Sequence, residues 1–595
     1  MPPTEKPLRI LLLCHAFNGL SQRLFVELGA RGHEVSVELD ISDAVTAEAV
    51  ALFAPDLLIA PYLKRLIPAA VWQRLPCLVV HPGPVGDRGP AALDHAVLEG
   101  CTEWGVTVLQ ADGEFDAGPA LQAEAFALRA AAKGSLYRRE VTEAAVRCTL
   151  RAVAHFAAPD ASLHRPAAPS GARGWRAAVD RAERLIDWAR DDTALVLRKI
   201  RSADGHPGVE DSLFGLACRL YDAHPATPGT LAALPDAAPG ALLGQRDGAL
   251  LRRTSDGAVW IGQASRADVC GPRRPFKLPC TLAFADEAAG LAPLPAPLER
   301  EAADWGELRY AETGPPGGRV GCLYFEFHNG AMSTGQCERL LEAVRSAQAR
   351  DTRVLLLLGG ADFFANGIHL NCIEAAAHRP GDSAADESWR NIQAMDDVAL
   401  ALITTTDRLT VSALRGNAGA GGAFLALCAD EVWAHPGVVL NPHYRNMGNL
   451  FGSEYWTYLL PRRLGDAGAA ELMTRRLPIG ARQAEAAGLI DRCMDVSAAG
   501  FEAQAITHAV ALATAQNVGT RIEEKQRRRR ADEAQRPLAE YRHHELTHMH
   551  RNFYGFDPSF HVARYHFVHK LPMAWTPRHL ARHRELAPAG GAGAR

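Results

Sequence analysis

No stretch of the chain approaches the roughly 18 consecutive apolar residues of a transmembrane helix, so a membrane span is not expected. The opening, Met1 to Pro7, is polar and lacks the charged-then-apolar pattern of a secretory signal. The 12 cysteines are scattered singly, with no C-x-x-C pair. In a long chain that pattern reads as reduced thiols packed in cores, and hence as a cytoplasmic protein. Charge of one sign is not in excess: a formal net charge of −4 gives no reason to expect nucleic acid or another bulk polyanion as partner. The loop after the first apolar run, Cys14–Ser21, holds a single glycine and no G-x-G-x-x-G, so a dinucleotide phosphate site is not supported.

What is present points to several domains, because 595 residues exceed what one core can organise. Leu8–Cys14, Val35–Leu39, Asp56–Ala60 and Cys77–Val80 are short apolar or β-branched runs, with helical stretches such as Ser21–Arg31 and Pro68–Leu75 between them. Strand and helix alternating at this spacing predicts a parallel, doubly wound sheet. From about Trp188 the texture changes. Leu195–Ser202 is helical, and Ala241–Gly244, Ala249–Arg253 and Ala258–Gly262 are short strands between turn residues, as in a small β-barrel. Phe284–Gly318, rich in Ala, Pro and Glu, reads as a linker; Gly321–Phe327 and Arg353–Leu358 then read as strands and Cys337–Ala349 as a helix.

Two motif groups carry chemistry. The first runs Asp56-Leu57-Leu58-Ile59, Leu63-Lys64-Arg65, His81-Pro82-Gly83-Pro84, Arg88-Gly89-Pro90, Trp104-Gly105-Val106 and Phe115-Asp116-Ala117-Gly118-Pro119. Its order resembles the 10-formyltetrahydrofolate-dependent formyltransferases, and Lys199-Ile200-Arg201 with Pro207-Gly208 resembles the β-barrel that follows that fold. Formyl transfer needs an acid or base of near-neutral pKa, a part that falls to His81. Asp116 would orient the imidazole and stabilise its charged form. The resemblance also places Lys64, Arg88 and Gly89 at the folate. The family carries an asparagine two residues before the histidine, where this chain has Val79.

The second group is Gly359–Leu370 and Ser412–Phe424, each a strand, a turn and a helix start. It resembles the crotonase (enoyl-CoA hydratase/isomerase) superfamily. That match implies a thioester oxyanion hole from the backbone N–H groups of Ile368 and Gly421, with Gly367 and Gly422 at the cofactor. Hydratases carry one glutamate where this chain has Phe424 and another near Pro442–Tyr444. Hydration needs that acid–base pair, so ordinary hydration is not expected. Tyr444 and Glu454 are the candidate replacements, followed by His443, Asn366 and His369. By the same resemblance, a helical tail places Arg564 and Lys570 at the CoA phosphates. His544-Glu545-Leu546-Thr547-His548 matches the H-E-x-x-H of zinc helices, but it lies in a His-rich segment without a third ligand, and no metal is expected.

The fold class expected is therefore an α/β multidomain chain: a doubly wound formyltransferase-like domain (1–190), a small OB-like β-barrel (191–285), a linker (286–318), a crotonase-like α/β domain (319–520) and a helical C-terminal extension (521–595). This order resembles the HoxX-type NiFe-hydrogenase maturation factors. The resemblance implies formyl transfer from 10-formyltetrahydrofolate to coenzyme A, then decarbonylation of formyl-CoA, with carbon monoxide passed to hydrogenase maturation proteins. The alternatives are a fused formyltransferase and acyl-CoA hydrolase releasing formate, or an assembly protein without catalysis.

Overall fold

Buried on both faces, the first apolar run needs no alternation of polar and apolar residues: Arg9–Cys14 (β1) is buried from Ile10 onward. The computed structural model describes residues 6–157, 174–268 and 275–585, so the first five residues of the polar opening and Cys270 lie outside the described residues. The chain divides into two compact units: Met1–Leu185 with Arg198–Val209 and Pro572–Arg595, and Ile186–Leu197 with Glu210–Leu571.

In the first unit β1 is joined by β2 (Glu34–Leu39), β3 (Leu57–Tyr62), β4 (Cys77–His81), β6 (Glu103–Gln110) and β7 (Ala120–Ala127), in the order β2-β1-β3-β4-β6-β7. Strands β5 (Asp87–Arg88) and β8 (Gly174–Trp175) pair separately. Helices Gly19–Ala30 and Asp43–Phe53, N-capped by Asn18 and Ser42, make the parallel crossovers among the first strands. The sheet is mixed rather than wholly parallel. β6 runs antiparallel to β4, and β7 returns from it through a short turn with no crossover helix. The end of the described chain also belongs here: Val37 N donates to Leu580 O at 3.0 Å, and His583 and Arg584 each bond the buried Glu38 carboxylate at 2.8 Å.

The second unit begins with strands β9 (Val209–Leu213), β10 (Leu216–Pro225), β11 (Leu242–Arg246), β12 (Ala249–Arg253), β13 (Ala258–Ser265) and β14 (Leu278–Pro279). They form one sheet, ordered β11-β12-β13-β10-β9, with β14 on β13. The stretch read as linker contains a strand: β15 (Leu308–Thr313) pairs antiparallel with β16 (Val320–Phe325). Its buried Leu308 and Tyr310 alternate as a one-sided edge strand requires, a signal masked by the Ala- and Pro-rich residues before it.

Beyond β16 come β17 (Ala331–Met332), β18 (Val354–Leu358), β19 (Phe363–Ala365), β20 (Gly367–Ile368), β21 (Leu409–Leu414), β22 (Asn417–Gly419), β23 (Glu431–Ala434), β24 (Val439–Asn441), β25 (Ile479–Gly480) and β26 (Arg492–Cys493). The main sheet is β15-β16-β18-β21-β23-β26; β19-β22-β24-β25 and β17-β20 form smaller layers beside it. Helix Thr334–Gln348 starts with a Ser333–Gln336 capping box. The tail helices Leu538–Tyr554 and Ser559–Val568 contribute Met549, Phe553 and Phe560 to the same apolar core as Phe424 and Tyr444. Among the described residues no helix is long and apolar enough to cross a membrane.

Candidate functional sites

In the first unit His81 ends β4, with its side chain on the same face as Val79 two residues earlier. Its imidazole is 3% exposed and lies between two carboxylates. Nε2 is 3.0 Å from Asp87 Oδ2 and Nδ1 is 3.4 Å from Asp116 Oδ1. Asp116 sits in the left-handed region (φ 53°), where its second oxygen accepts the Gly89 N–H at 3.1 Å. Gly118 has no room for a Cβ, which would collide with the Gln110 carbonyl. The turn after His81 is clasped from β6: Trp104 Nε1 donates to Pro82 O at 2.8 Å and Thr107 Oγ1 to Gly83 O at 2.9 Å.

Burial alone would lower the His81 pKa. The hydrogen bonds and charges of Asp116 and Asp87 outweigh it and raise the pKa to about 9. Burial acts on Asp116 in the opposite sense to its partners: His81, the Gly89 N–H and Arg88 together hold its carboxyl below the usual range. Arg88 Nε donates to Phe115 O at 3.3 Å and its guanidinium pairs with Glu114 at 2.8 Å. Lys64 is exposed, its ammonium 5.8 Å from the Tyr62 ring centre, and is not brought onto the His81–Asp116 pair. Asp87 was not singled out in sequence; nothing in a turn of six residues announces that it folds back on His81.

In the second unit the two glycine motifs meet. A Cβ on Gly367 would lie 3.2 Å from Gly421 N and 3.7 Å from Gly422 N, so the β20 backbone runs against the start of helix Gly421–Leu427. Ile368 follows in β20, and a Cβ on Gly421 would lie 2.5 Å from Glu454 Oε1. Glu454 is buried and accepts a short hydrogen bond from the Tyr444 hydroxyl, which also reaches Ser453 O at 2.9 Å. Tyr444 stacks on Phe424, the residue standing in the glutamate position, with ring centres 5.1 Å apart.

Glu454 and Tyr455 are consecutive left-handed residues (φ 58° and 60°), a strained pair for side chains of this size. Their N–H groups go to Asp396 Oδ1 at 2.8 Å and Glu545 Oε2 at 2.9 Å. Glu545 also accepts from Thr457 N at 2.8 Å, so it serves the orphan donors at the start of helix Trp456–Arg475. Burial, then the neighbouring Asp396 charge, raises the Glu454 and Glu545 carboxyls; burial raises the Tyr444 hydroxyl as well.

The side chains of the H-E-x-x-H motif are engaged in capping and packing. Its glutamate is a buried cap, His548 stacks on Phe451 with ring centres 4.2 Å apart, and among the described residues no group is arranged to hold a metal ion.

The expectation for Arg564 is corrected. It is buried in an ion pair with Glu374 at 3.0 Å, where His569 also bonds, so its charge is committed to helix Leu370–Ala376 rather than offered to a phosphate. Lys570 keeps its place as a candidate: burial and the nearby Lys277 lower its ammonium to about 8. Lys277, missed in the sequence, gives that spot a second positive charge. Asn366 bonds Asn329 O at 2.8 Å, and His369 caps helix Leu370–Ala376 through Cys372 N at 3.2 Å.

Comparison with known proteins agrees with this layout. The chain matches the formyl transferase family over residues 37–153, the formyl transferase C-terminal domain over 178–269 and the enoyl-CoA hydratase/isomerase family over 326–578. It is 54% identical to the hydrogenase maturation factor HoxX of Bradyrhizobium diazoefficiens, covering 97% of each chain. The crystal structure of HypX from Aquifex aeolicus in complex with tetrahydrofolic acid is similar with a TM-score of 0.90 at 42% identity, over 97% of this chain and 99% of that one. A methionyl-tRNA formyltransferase of Variovorax paradoxus is 28% identical over 38% of this chain and 68% of its own.

Proposed function

Because the chain belongs to the HoxX/HypX family of hydrogenase maturation factors, we propose that it makes carbon monoxide for hydrogenase assembly in two steps, both using coenzyme A. In the first, at a site built on His81 and Asp116, a formyl group moves from 10-formyltetrahydrofolate to the CoA thiol. The tetrahydrofolate in the Aquifex relative supports the donor. Lys64, Arg88 and Gly89 are proposed donor contacts, within a formyltransferase-like part (1–190) followed by a β-barrel part (191–285).

The second step divides formyl-CoA into carbon monoxide and CoA in the crotonase-like part (319–520), against which the tail (521–595) packs helices Leu538–Tyr554 and Ser559–Val568. The Ile368 and Gly421 N–H groups hold the carbonyl oxygen, and Gly367 and Gly422, proposed at the cofactor, allow the close backbone packing that sets those N–H groups. Glu454 takes the proton from the formyl carbon, and the C–H electron pair stays on carbon as the lone pair of carbon monoxide. The C–S pair leaves with sulfur, and Glu454 or Tyr444 returns the proton to it. A carboxyl raised by burial is a stronger base once ionised, which suits this proton. Lys277 and Lys570 would meet the CoA phosphates. The described cysteines are free thiols, which supports a reducing, cytoplasmic setting with delivery to other maturation proteins.

The single observation that carries this reading is Glu454 lodged against Gly421, bonded by Tyr444, where the hydratase glutamate positions hold no carboxylate. The test is product analysis with 13C-formyl-labelled 10-formyltetrahydrofolate and CoA. Labelled carbon monoxide supports the reading; labelled formate alone would make the protein a formyltransferase joined to a hydrolase.

A further inference from the structure

We propose that Asp87 is the positioning residue of the formyl-transfer site, fixing His81 as an imidazolium that donates a hydrogen bond, and that this selects a thiol as formyl acceptor. The proposal deepens the reading of the first step and rests on it for the identity of the acceptor.

The geometry separates the two carboxylates on His81. Asp87 is the inner one: its side chain is 1% exposed and its contact with Nε2 is the shorter, at 3.0 Å. Asp116 is the outer one: its side chain is 14% exposed, its contact with Nδ1 is 3.4 Å, and it is tied to the Gly89 backbone as well. Nε2 is therefore closed off, and a substrate reaches the imidazole from the Nδ1 edge, beside Asp116. Asp87 thus orients the ring from inside, while Nδ1 faces Asp116 and turns from it to a substrate.

Two further observations bear on Asp87. Its second oxygen, Oδ1, is buried without a hydrogen-bond partner among the described residues. A bare carboxylate oxygen in that position is costly unless the charge itself is used, and the charge it faces is that of His81. Gly83 sits on the pair so closely that a Cβ would lie 2.5 Å from Asp87 Oδ2. The Pro82–Gly86 turn thus acts as a clasp, held by Trp104 and Thr107, that keeps Asp87 on the ring. The charged groups facing His81 are Asp87 from β5 and Asp116 from the turn before β7; Arg88 and Glu114 pair with each other one step further out.

A histidine held between two carboxylates is charged at neutral pH, so it is a poor base and a good donor. That fits a face on which Val79 offers no polar atom. An amine acceptor must lose a proton to some base as it attacks. A thiol can give its proton to water before it attacks, because the thiolate is the nucleophile, and so needs no base in the site. In the balanced step the CoA thiolate attacks the formyl carbon while Nδ1–H donates to the formyl oxygen. The C–N10 bond breaks with its electron pair going to N10, His81 protonates N10, and His81 regains from water the proton the thiol released there.

The test uses the full chain with 13C-ring-labelled histidine, the His81 resonance being assigned by its loss in His81→Gln. In the wild type His81 should titrate near 9, and in Asp87→Asn it should titrate lower by about one unit, a tenfold change in the charged-to-neutral ratio. The alkaline limb of formyl transfer to CoA should move down by the same amount. An unmoved His81 titration in folded Asp87→Asn would overturn the proposal. If Asp87→Asn does not fold, Gly83→Ala, which crowds the same contact, must lower the titration instead. Failure of formyl transfer in the wild type with the titration shift intact would sink the function assigned to the site, not the role of Asp87 on His81.

Discussion

The backbone N–H of Glu454 donates to Asp396 Oδ1 at 2.8 Å, and this bond between buried groups holds Glu454 in the left-handed conformation that aims its carboxylate at Gly421. Asp396 lies on helix Ala384–Ile403, so the aim of Glu454 is set by an element distant in sequence. Replacing Asp396 with Ala should leave a buried N–H unpaired, at a cost of about 1–3 kcal/mol. Formyl-CoA turnover should fall while formyl transfer is unaffected. Chemical denaturation and separate assays of the two steps check this.

Glu545 does the same for Tyr455 and Thr457, the contacts of a cap. Dialysis against a strong chelator is expected to leave both half-reactions and the thermal transition unchanged. Glu545→Ala is expected to destabilise by about 2 kcal/mol, in the range of a lost cap and orphaned donors. Metal analysis and calorimetry decide between the two roles.

Gly421→Ala puts a methyl group 2.5 Å from Glu454 Oε1 and must displace it. Displacement of a reacting group by about 1 Å costs about a hundredfold in rate. The expected signature is a fall of that order in kcat for formyl-CoA with KM little changed, read from steady-state kinetics.

Tyr444→Phe removes a hydrogen bond that favours the ionised form of Glu454. The pH at which Glu454 becomes an active base should therefore rise, moving the rising limb of decarbonylation to higher pH. A pH–rate profile of the variant beside the wild type measures the direction.

His81 links stability to pH. Its folded pKa, about 9, lies above the ordinary 6.5, so the pair with Asp87 and Asp116 contributes fully below about 6.5 and loses its contribution as pH rises through about 9. The stability gap between the wild type and His81→Gln should narrow across that window in denaturant titrations.

Much of this was legible in the sequence, for local reasons. His81, Asp116 and the glycine turns at Gly367 and Gly421 sit in contiguous motifs whose backbone demands leave a trace in residue type. The parts that escaped depend on distant partners. Arg564 reads as an available cation until Glu374, 190 residues away, is found beside it. Asp396 is one polar residue on a long helix, and its value lies in an N–H donated from 58 residues downstream. Glu545 carries a metal-site pattern although it acts as a cap, because a cap and a zinc-helix glutamate use the same side chain. Strand β15 was hidden because only alternate residues of an edge strand need be apolar.

The most direct measurement supplies synthetic 13C-formyl-CoA to the purified full chain, without folate, and traps released gas on reduced haemoglobin. The account predicts 13CO in amounts matching the free CoA formed, abolished by Glu454→Gln and undiminished in His81→Gln. Labelled formate with no 13CO, or 13CO release equal in the wild type and Glu454→Gln, would contradict it.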